Sequence, residues 1–333
     1  MSLKHFLPLL LTTTPLVSAW GTLGHDTVAY IAQNFVTNAT ESWAQGILAD
    51  TSSSYMASVA TWADTYRYTA AGKFSAPYHF IDAEDDPPKS CGVDYKRDCG
   101  ESGCVVSAIQ NYTSRVVDKS LSTTEKQMAL KWIIHFIGDI HQPLHDEALD
   151  VGGNTISVTF DGTETNLHHI WDTNMPEKFI GGYSLADASS WAKNLTARIK
   201  TGDYKSDASG WLHGISLDDP VSSSMAWATE SNAYVCSTVL TGGVDAVEGK
   251  ELDGGYYDAA TPVIEVQIAR AGYRLAAWLN LIATGETGLK VAGEKRSMRP
   301  IQPVRVELED WARPLSAARL ARLAHGFNCG HEH

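Results

Sequence analysis

The chain has 333 residues, 20% of them charged, and a formal net charge of −13 at pH 7. This negative balance argues against a protein that holds duplex nucleic acid by broad electrostatic attraction, although it does not exclude a nucleic-acid substrate. The body of the chain, from residue 20 to about residue 285, is long enough for one large core or two small ones. No linker rich in Pro, Gly or Ser and no internal repeat divides it.

The first 19 residues have the pattern of a secretory signal peptide. A short basic head precedes an apolar run over 6–17, which is too short to span a bilayer, and small residues follow at 17–19. We therefore predict that the mature chain begins at Trp20. Because no later stretch has about 18 uninterrupted apolar residues, we predict no transmembrane helix and expect a secreted protein. Residues 286–333 differ in composition and are treated as a C-terminal extension of unknown role.

The cysteine count is consistent with an oxidising compartment. Four of the five cysteines lie in the body, and an even number there predicts two disulfides. Cys99 and Cys104 are close enough to close a local loop, so Cys91 would pair with Cys236, and Cys329 remains single. The candidate N-glycosylation sites, each in an Asn-x-Thr sequon, are Asn38, Asn111 and Asn194.

Helical periodicity dominates the body. Apolar residues recur at helical spacing over 27–36, 107–117, 185–199, 222–240 and 263–282. Thr261 and Pro262 are predicted to open the last helix as its cap and first-turn proline. Alternation over 155–160, followed by the turn signal Asp161-Gly162, predicts a β-hairpin. The fold prediction is mainly α: a single α-helical domain with a small β-hairpin.

The stretch 135–145 carries the strongest chemical signal. Ser122 and Glu125 form a capping box, so a helix should begin near Ser122 and run into this stretch, where Gly138 and then Pro143 weaken or end it. His135 and Asp139 are four residues apart and share one helix face, which suits a divalent metal. Three His and one Asp within eleven residues are hard to explain as core, because unpaired buried polar groups are costly.

Further candidate metal ligands are spread along the chain. His168 and Asp172 repeat the spacing of four residues, and His145 closes the central stretch. The complete side-chain set is His25, Asp64, His79, His135, Asp139, His145, His168 and Asp172. These are more ligands than one zinc needs, and they suit a cluster of two or three ions with open coordination positions. His141 and His169 are expected to support the ligands or to lie at the surface.

At this point the sequence resembles a known family, the secreted fungal zinc-dependent, single-strand-specific nucleases of the S1/P1 type. The resemblance covers residues 20 to about 283 and rests on six motifs. They are Trp-Gly-x-x-Gly-His at 20–25, Trp-Ala-Asp at 62–64, Tyr-His-Phe-Ile-Asp at 78–82, His-x-x-Gly-Asp-x-x-Gln-Pro-Leu-His at 135–145, Gly-Gly-Asn at 152–154 and Asn-Leu-His-x-x-Trp-Asp at 166–172. The resemblance implies a mainly α-helical catalytic domain over 20–285, with its site in a cleft.

The resemblance also implies three zinc ions per chain. One would be held by Asp64, His79, His135 and Asp139. A second, close to it, would be held by the α-amino nitrogen and carbonyl oxygen of Trp20, by His25 and by Asp139, which would bridge the pair. A third would be held by His145, His168 and Asp172. The α-amino group of Trp20 becomes a ligand only after the signal peptide is removed.

The implied reaction is hydrolysis of phosphodiester bonds in single-stranded DNA and RNA to 5′-phosphate products, with 3′-nucleotidase activity. Water activated between the paired zincs would attack phosphorus, with the third zinc at the leaving oxygen. The catalytic set would be Asp64, Asp139 and Arg67, the last as the cation that stabilises the transition state. Phe80 would stack on the base, Asp82 would hydrogen-bond its edge, and Asn154 would bind substrate. We expect a monomer without an obligate protein partner.

Two alternatives remain open from the sequence. A zinc-dependent phospholipase C shares this zinc arrangement and fold, although Phe80, Asp82, the paired cysteines and the sequons favour the nuclease. A secreted zinc-sequestering protein without turnover is a different class, and the open coordination positions expected at the third zinc argue against it. Phe80 could also be plain core, and Asp82 a turn residue.

Overall fold

The structure is a computed structural model that describes residues 20–290 and Ala321. The described chain is mainly α-helical, with one small antiparallel sheet, which confirms the predicted fold class. The helices are α1 (Gly21–Gln33), α2 (Asn38–Leu48), α3 (Trp62–Tyr66), α4 (Tyr95–Asp98), α5 (Val105–Val117), α6 (Thr123–Asp139), α7 (Leu167–His169), α8 (Met175–Ile180), α9 (Leu185–Lys200), α10 (Pro220–Tyr234) and α11 (Gly255–Thr284). The predicted signal peptide over 1–19 and most of the extension over 286–333, with Cys329, lie outside the described residues.

Short helical turns and one hairpin connect these helices. The 3₁₀ turns are Ala57–Val59, Lys73–His79, Pro143–Asp146 and Val244–Ala246, and the π turns are Ile170–Asn174 and Val235–Val239. Strands β1 (Ser157–Phe160) and β2 (Thr163–Asn166) pair antiparallel. Asp161 and Gly162 both have positive φ, at 50° and 72°, as the predicted Asp-Gly hairpin turn requires.

The core forms where α1 packs against α9 and α11, and where α5 packs against α6. The α1–α11 crossing is close, because a Cβ at Gly272 would lie 2.5 Å from Cβ of Ile31. Every residue of α6 from Trp132 to Asp139 is buried. The polar side chains in this part of α6 must therefore find partners inside the protein. No helix of the described chain is long and apolar enough to cross a membrane.

The start of α6 follows its local sequence signal. Oγ of Ser122 accepts a hydrogen bond from the Glu125 amide at 3.3 Å, and the Glu125 carboxylate accepts one from the Ser122 amide at 3.0 Å. This reciprocal pair is the predicted capping box. Helix α6 ends at Asp139, one residue after Gly138 and before Pro143, as the sequence predicted. The turn Pro143–Asp146 then carries His145.

Two helix boundaries were mispredicted. Helix α1 begins at Gly21 rather than at residue 27, because the burial of its first turns outweighs the low helix propensity of its two glycines. Helix α11 begins at Gly255 and contains Pro262, so this proline does not open the helix. The Thr261 hydroxyl donates to the Tyr257 carbonyl at 2.8 Å within the turn preceding the proline. Helix α2 was not predicted.

Both predicted disulfides are present. Cys91 pairs with Cys236 across 145 residues, and Cys99 pairs with Cys104 across five. The three sequon asparagines, Asn38, Asn111 and Asn194, are all exposed and lie on helices α2, α5 and α9. Their accessibility is compatible with glycans, and their use as glycosylation sites stays a prediction.

Candidate metal centre

Asp139 joins histidines from three segments at the end of α6. Its Oδ1 lies 3.2 Å from Nε2 of His25 on α1. Its Oδ2 lies 3.0 Å from Nδ1 of His79 and 3.2 Å from Nε2 of His135. The two oxygens of one carboxylate therefore face two different sets of imidazoles, which is the geometry that a carboxylate bridging two cations needs.

Asp64, on α3, completes one side of this group. Its Oδ1 lies 3.4 Å from Nε2 of His135 and 3.7 Å from Nδ1 of His79. The side chain is almost fully buried, and neither of its oxygens accepts a hydrogen bond within the described chain. A buried carboxylate without hydrogen bonds is costly unless a cation stands in for the missing donors.

A second group of ligands comes from the segments that follow α6 in the chain. Nε2 of His168 lies 3.1 Å from Oδ2 of Asp172, and Nε2 of His145 lies 3.9 Å from Oδ1 of Asp172. Asp172 is carried by the π turn Ile170–Asn174, a type of distortion that often occurs at functional sites. All three side chains are fully buried.

Backbone carbonyls orient three of the histidines. Nδ1 of His135 lies 2.7 Å from the Ala60 carbonyl, Nδ1 of His145 lies 2.7 Å from the His79 carbonyl, and Nδ1 of His168 lies 2.6 Å from the Gly152 carbonyl. Because a carbonyl only accepts hydrogen bonds, each Nδ1 must carry the proton. In the neutral ring each Nε2 is then a lone-pair donor directed into the centre, as in metal-binding histidines.

The carbonyl that orients His168 lies in an unusual stretch of backbone. Asp150, Val151, Gly152 and Gly153 have successive φ angles of 49°, 60°, 63° and 76°. A left-handed conformation is strained for a β-branched residue such as Val151, and strain of this kind concentrates at functional sites. The turn directs the Gly152 carbonyl toward His168.

Gly138 allows His25 to approach α6. A Cβ at position 138 would lie 2.7 Å from Nδ1 of His25, closer than side chains tolerate. The glycine one residue before Asp139 therefore serves the site, in addition to lying next to the end of α6. His25 also stacks on His135, with ring centroids 4.0 Å apart.

Electrostatics distinguish the ligands around Asp139. Burial lowers the pKa of His79 to about 4, and the nearby Arg67 guanidinium acts in the same direction. For His135, burial acts to lower the pKa, but the carboxylates of Asp139 and Asp64 outweigh it and raise the pKa to about 10. Burial would raise the pKa of both aspartates, yet the adjacent His135 holds both below their usual range. The group thus favours a positive charge between its carboxylates, which a proton or a cation can supply.

The donor atoms pass a simple test for metal binding. In each of three sets of residues, the donor atoms all lie within 4.8 Å of one another. The sets are His25, His135 and Asp139; Asp64, His79 and His135; and His145, His168 and Asp172. Each set combines two imidazoles with one carboxylate. Nε2 of both His145 and His168 is buried without a hydrogen-bond partner in the described chain, as ligand atoms facing a cation would be. The residues present fit two neighbouring cations and a third.

Trp20 was predicted as a ligand through its main chain. Its side chain is buried, its φ is 41°, and its carbonyl accepts a hydrogen bond from the Gly24 amide at 3.0 Å. These facts place Trp20 at the start of α1, five residues before His25. They do not test coordination by its main chain, which stays a prediction.

The predicted base-binding residues lie on an extended segment directly after His79. Ile81 donates to the His145 carbonyl at 2.9 Å, and the Phe80 carbonyl accepts from the Val105 amide at 3.0 Å. Because side chains alternate along extended backbone, Phe80 and Asp82 lie on one side, and Ile81 enters the core on the other. The segment is thus attached to the metal centre through His79, which precedes it, and through the hydrogen bond of Ile81 to His145. Its role in base binding stays a prediction.

Arg67 precedes the central stretch 135–145 in the chain, and Asn154 follows it. The Arg67 guanidinium donates to the Tyr68 hydroxyl at 3.0 Å and acts electrostatically on Asp64 and His79. The Asn154 amide nitrogen donates to the Val151 carbonyl at 2.8 Å, while its Oδ1 is buried without a donor in the described chain. Asn154 directly follows the left-handed turn over 150–153, so one loop carries both Asn154 and the Gly152 carbonyl that orients His168.

The two extra histidines are not in any of the donor sets. Nδ1 of His141 lies 2.7 Å from the Ile137 carbonyl and its Nε2 accepts from Arg274 at 2.9 Å. Burial and then Arg274 lower the pKa of His141 well below its usual value, so the ring is neutral. His141 therefore supports the chain between Asp139 and His145, in line with the prediction.

Sequence reasoning missed Gln142. Its Nε2 donates to Oδ1 of Asp172 at 2.5 Å, and its Oε1 accepts from the Leu144 amide at 2.6 Å. Gln142 thus connects the turn that carries His145 to the π turn that carries Asp172. A glutamine immediately before a turn-opening proline was the available signal, because such a side chain can cap the turn.

The protein has a mainly α fold with three buried His/Asp groups that could hold metal ions, and the comparisons with known proteins specify its family. The sequence model described as S1/P1 Nuclease matches residues 20–284. The chain belongs to the S1/P1 nuclease family, and membership makes it a hydrolase of the nuclease class. The alternative of a phospholipase C is not favoured.

Named relatives can be aligned with most of the chain, at identities from 30% to 61%. Nuclease S1 of Aspergillus oryzae is 61% identical over 274 residues, which is 82% of this chain and 95% of the relative. Nuclease P1 of Penicillium citrinum is 55% identical over 267 residues, 80% of this chain and 99% of the relative. Endonuclease 3 of Arabidopsis thaliana is 30% identical over 305 residues, 86% of this chain and 98% of the relative.

Proposed function

We propose that the protein is a secreted, zinc-dependent endonuclease that hydrolyses phosphodiester bonds of single-stranded DNA and RNA, leaves 5′-phosphates, and also removes the 3′-phosphate of nucleotides. The catalytic domain spans residues 20–285. One observation carries the proposal: the two oxygens of Asp139 face different sets of imidazoles, with Asp64 beside one of them. This arrangement suits two adjacent divalent cations acting on one phosphate.

The bound metals are zinc, three per chain. Imidazole and carboxylate ligands in sets of three leave an open position for water or substrate, which is typical of catalytic zinc. The ligands are the three donor sets described above, with the main chain of Trp20 added beside His25. When bound, zinc lowers the pKa of a coordinated water and stabilises negative charge on phosphate oxygens.

Arg67 binds the phosphate group beside the metals. Its guanidinium presents a planar fork of donors that matches two phosphate oxygens, and its contact with Tyr68, with the guanidinium carbon 5.0 Å from the ring centroid, limits its rotation. The interaction becomes stronger as negative charge develops on phosphorus, so Arg67 contributes to the rate as well as to binding.

Phe80 and Asp82 hold the base next to the scissile phosphate, and Asn154 binds the substrate from the opposite loop. A ring that stacks on a base and a carboxylate that hydrogen-bonds its edge both need that base unpaired. The preference for single strands follows from this requirement. No sequence-specific readout is needed, because every base has a face that can stack.

Secretion is supported by the two disulfides, which are typical of oxidising compartments, and by the exposure of the three sequon asparagines. The signal peptide, the glycans and the monomeric state belong to the proposal. Mass spectrometry of the secreted protein tests the first two, through an N-terminus at Trp20 and through glycan mass on Asn38, Asn111 or Asn194.

A three-substrate assay tests the proposed activity. Purified protein is incubated with single-stranded DNA, duplex DNA and phosphatidylcholine, with and without chelator, and zinc is then restored. We expect cleavage of the single strand, little cleavage of the duplex, no phospholipid hydrolysis, and activity that returns with zinc. Equal rates on single and double strands, or hydrolysis of phosphatidylcholine, would contradict the proposal. Zinc binding without turnover of any substrate would favour a sequestering protein.

A further inference from the structure

A group of aromatic and basic side chains lies on the surface next to α3. We call it the aromatic–basic surface, and it comprises Trp62, Tyr66, Lys73, Phe74 and Lys131. Trp62 and Tyr66 are partly exposed and stack on each other, with ring centroids 4.4 Å apart and planes 22° apart. The ammonium nitrogen of Lys131 lies 5.2 Å from the centroid of the Trp62 ring.

The two lysines have no carboxylate partner within 4.0 Å among the described residues, in a chain whose net charge is −13. Other cations of the described chain do have such partners; Lys178, for example, pairs with both Asp161 and Asp253. Lys131 is partly buried against Trp62, yet no acid accompanies it. A partly desolvated ammonium without a protein carboxylate is suited to an anion from outside the protein.

Phe74 extends the aromatic part of this surface. Its side chain is 52% exposed, which makes it one of the few large apolar side chains that the described chain leaves in solvent. Gly72 brings it into place, because a Cβ there would lie 2.8 Å from Cδ1 of Tyr66, so the chain at 72–74 runs closely past that ring. The Phe74 ring itself contacts Tyr78, with ring centroids 5.9 Å apart, and follows directly after Lys73. Exposed aromatic rings together with lysines are a combination that binds single-stranded nucleic acid.

One layer of side chains separates the aromatic–basic surface from the metal centre. Trp132 contacts Trp62 and Tyr66 on one side, with ring centroids 4.9 and 5.6 Å away, and His79 on the other, at 6.4 Å. The 3₁₀ turn Lys73–His79 also runs from the surface directly to His79. The two places are therefore about one side chain apart, a separation that neighbouring nucleotides of one strand are long enough to span.

We propose that the aromatic–basic surface binds nucleotides of a single strand that lie beyond the one held by Phe80 and Asp82. Exposed ring faces of Phe74 and the Trp62–Tyr66 pair stack on bases, and Lys73 and Lys131 contact the intervening phosphates. This inference rests on the proposed nuclease function and extends it. The surface makes long strands better substrates than dinucleotides, through binding rather than through the chemical step.

Substrates of different length distinguish binding at the aromatic–basic surface from a role at the metal centre. We compare Phe74→Ala and Lys131→Gln with the wild-type holoenzyme on an oligothymidylate of many residues and on a thymidine dinucleotide. Each variant should raise KM for the long strand about tenfold and leave kcat unchanged, and the dinucleotide KM should not move. The salt dependence of binding should fall by about 0.7 in logarithmic slope for Lys131→Gln.

Matched variants elsewhere on the protein serve as controls. Phe179→Ala removes another exposed ring, and Lys193→Gln removes another exposed lysine, so both should leave both KM values unchanged. Because Phe74 is exposed, Phe74→Ala should also keep the wild-type melting temperature. Unchanged KM for the long strand, or an equal rise for both substrates, would overturn the inference while the nuclease function stands. A wild-type protein that cleaves neither substrate would overturn both.

Discussion

The protein buries two sets of carboxyl groups that differ in their surroundings. The first set lies among the imidazoles of the metal centre and consists of Asp64, Asp139 and Asp172. The second set, which we call the acidic cluster, consists of the buried Asp146 and Glu147 and the half-buried Asp85. In the acidic cluster Glu147 is in hydrogen-bonding contact with Asp85, and Asn232 donates to Glu147 at 3.4 Å and to the Asp146 carbonyl at 3.0 Å.

The pKa values of carboxyl groups in the two sets are shifted in opposite directions. His135 holds the pKa of Asp64 and Asp139 below the usual range despite their burial. In the acidic cluster burial dominates: it raises the pKa of Asp146 well above its usual value and, with the nearby Asp85, raises that of Glu147 to about 8. Burial alone therefore keeps a carboxyl group neutral, and a neighbouring imidazole or cation is needed to keep it ionised.

This difference indicates which cluster can hold a metal. All three donor sets of the described chain pair two imidazoles with one carboxylate, and none includes a member of the acidic cluster. Zinc ligands must be deprotonated, so neutral carboxyl groups compete poorly for it. A high density of acids is thus a weaker sign of a zinc site than acids placed among histidines.

The sharpest contrast is between Asp139→Asn and Asp146→Asn. The first removes the carboxylate that joins both imidazole sets, so the paired metals and the activity should be lost, at a cost of several kcal/mol or about a thousandfold or more in kcat/KM. The second replaces a carboxyl group that is already neutral, so activity should stay near wild type. Zinc analysis should show fewer ions in Asp139→Asn alone. A comparable loss of zinc in Asp146→Asn would remove the distinction between the clusters.

Removing the metals should destabilise the segments that carry the first set of carboxyl groups and leave the acidic cluster unaffected. Without a cation, the ligands on α1, α3, α6 and the π turn no longer tie these segments together, so we expect the melting temperature to fall by several degrees or more. Calorimetry of protein dialysed against chelator measures this, and zinc should restore the original value. The same treatment applied to Asp139→Asn should produce a smaller shift. An identical shift in both proteins would mean that the chelator acts elsewhere.

The third-metal group should depend on Gln142. Gln142→Ala removes the hydrogen bond that orients Asp172 and the one that caps the turn carrying His145. Losses of such supporting contacts typically reduce metal affinity about 10–100-fold. Titration with a competing chelator should show one zinc held more weakly and two held as in the wild type. Gln127→Ala is the control, because it removes a different glutamine, one on α6 that donates to the Leu48 carbonyl. Uniform weakening of all zincs would contradict a local role.

Much of the metal centre is encoded in local sequence, and the rest depends on tertiary packing. The capping box of α6 and the four-residue spacing of His135 and Asp139 are local, and both were predicted from the residues alone. That His25 and His79 meet at the two oxygens of one carboxylate depends on how α1 and the Lys73–His79 turn pack against α6. Only the resemblance to a known family indicated that convergence in advance.

The supporting contacts could not be predicted, because backbone atoms provide many of them. The carbonyls of Ala60 and Gly152 fix the tautomers of His135 and His168, and carbonyls carry no sequence signature. The role of Gly138 likewise depends on the ring of His25, which comes from another helix. Local propensity also failed at the start of α1, where two glycines are overruled by packing.

The smallest expected effect concerns the proton on Glu147. Its pKa is about 8 in the folded protein and near 4.5 when unfolded, so the folded state binds the extra proton between these pH values. Stability from this group is therefore greatest near pH 5 and falls as pH rises toward 8. Glu147→Gln removes the titration, so denaturant unfolding at saturating zinc should give a variant that gains on the order of 1 kcal/mol relative to wild type between pH 5 and pH 6. Asp203→Asn, at an exposed carboxylate whose pKa is lowered by Arg198, is the control and should show no such gain. A constant difference between Glu147→Gln and wild type across this range would mean that Glu147 is ionised in the folded protein, and the contrast between the two sets of carboxyl groups would then not extend to it.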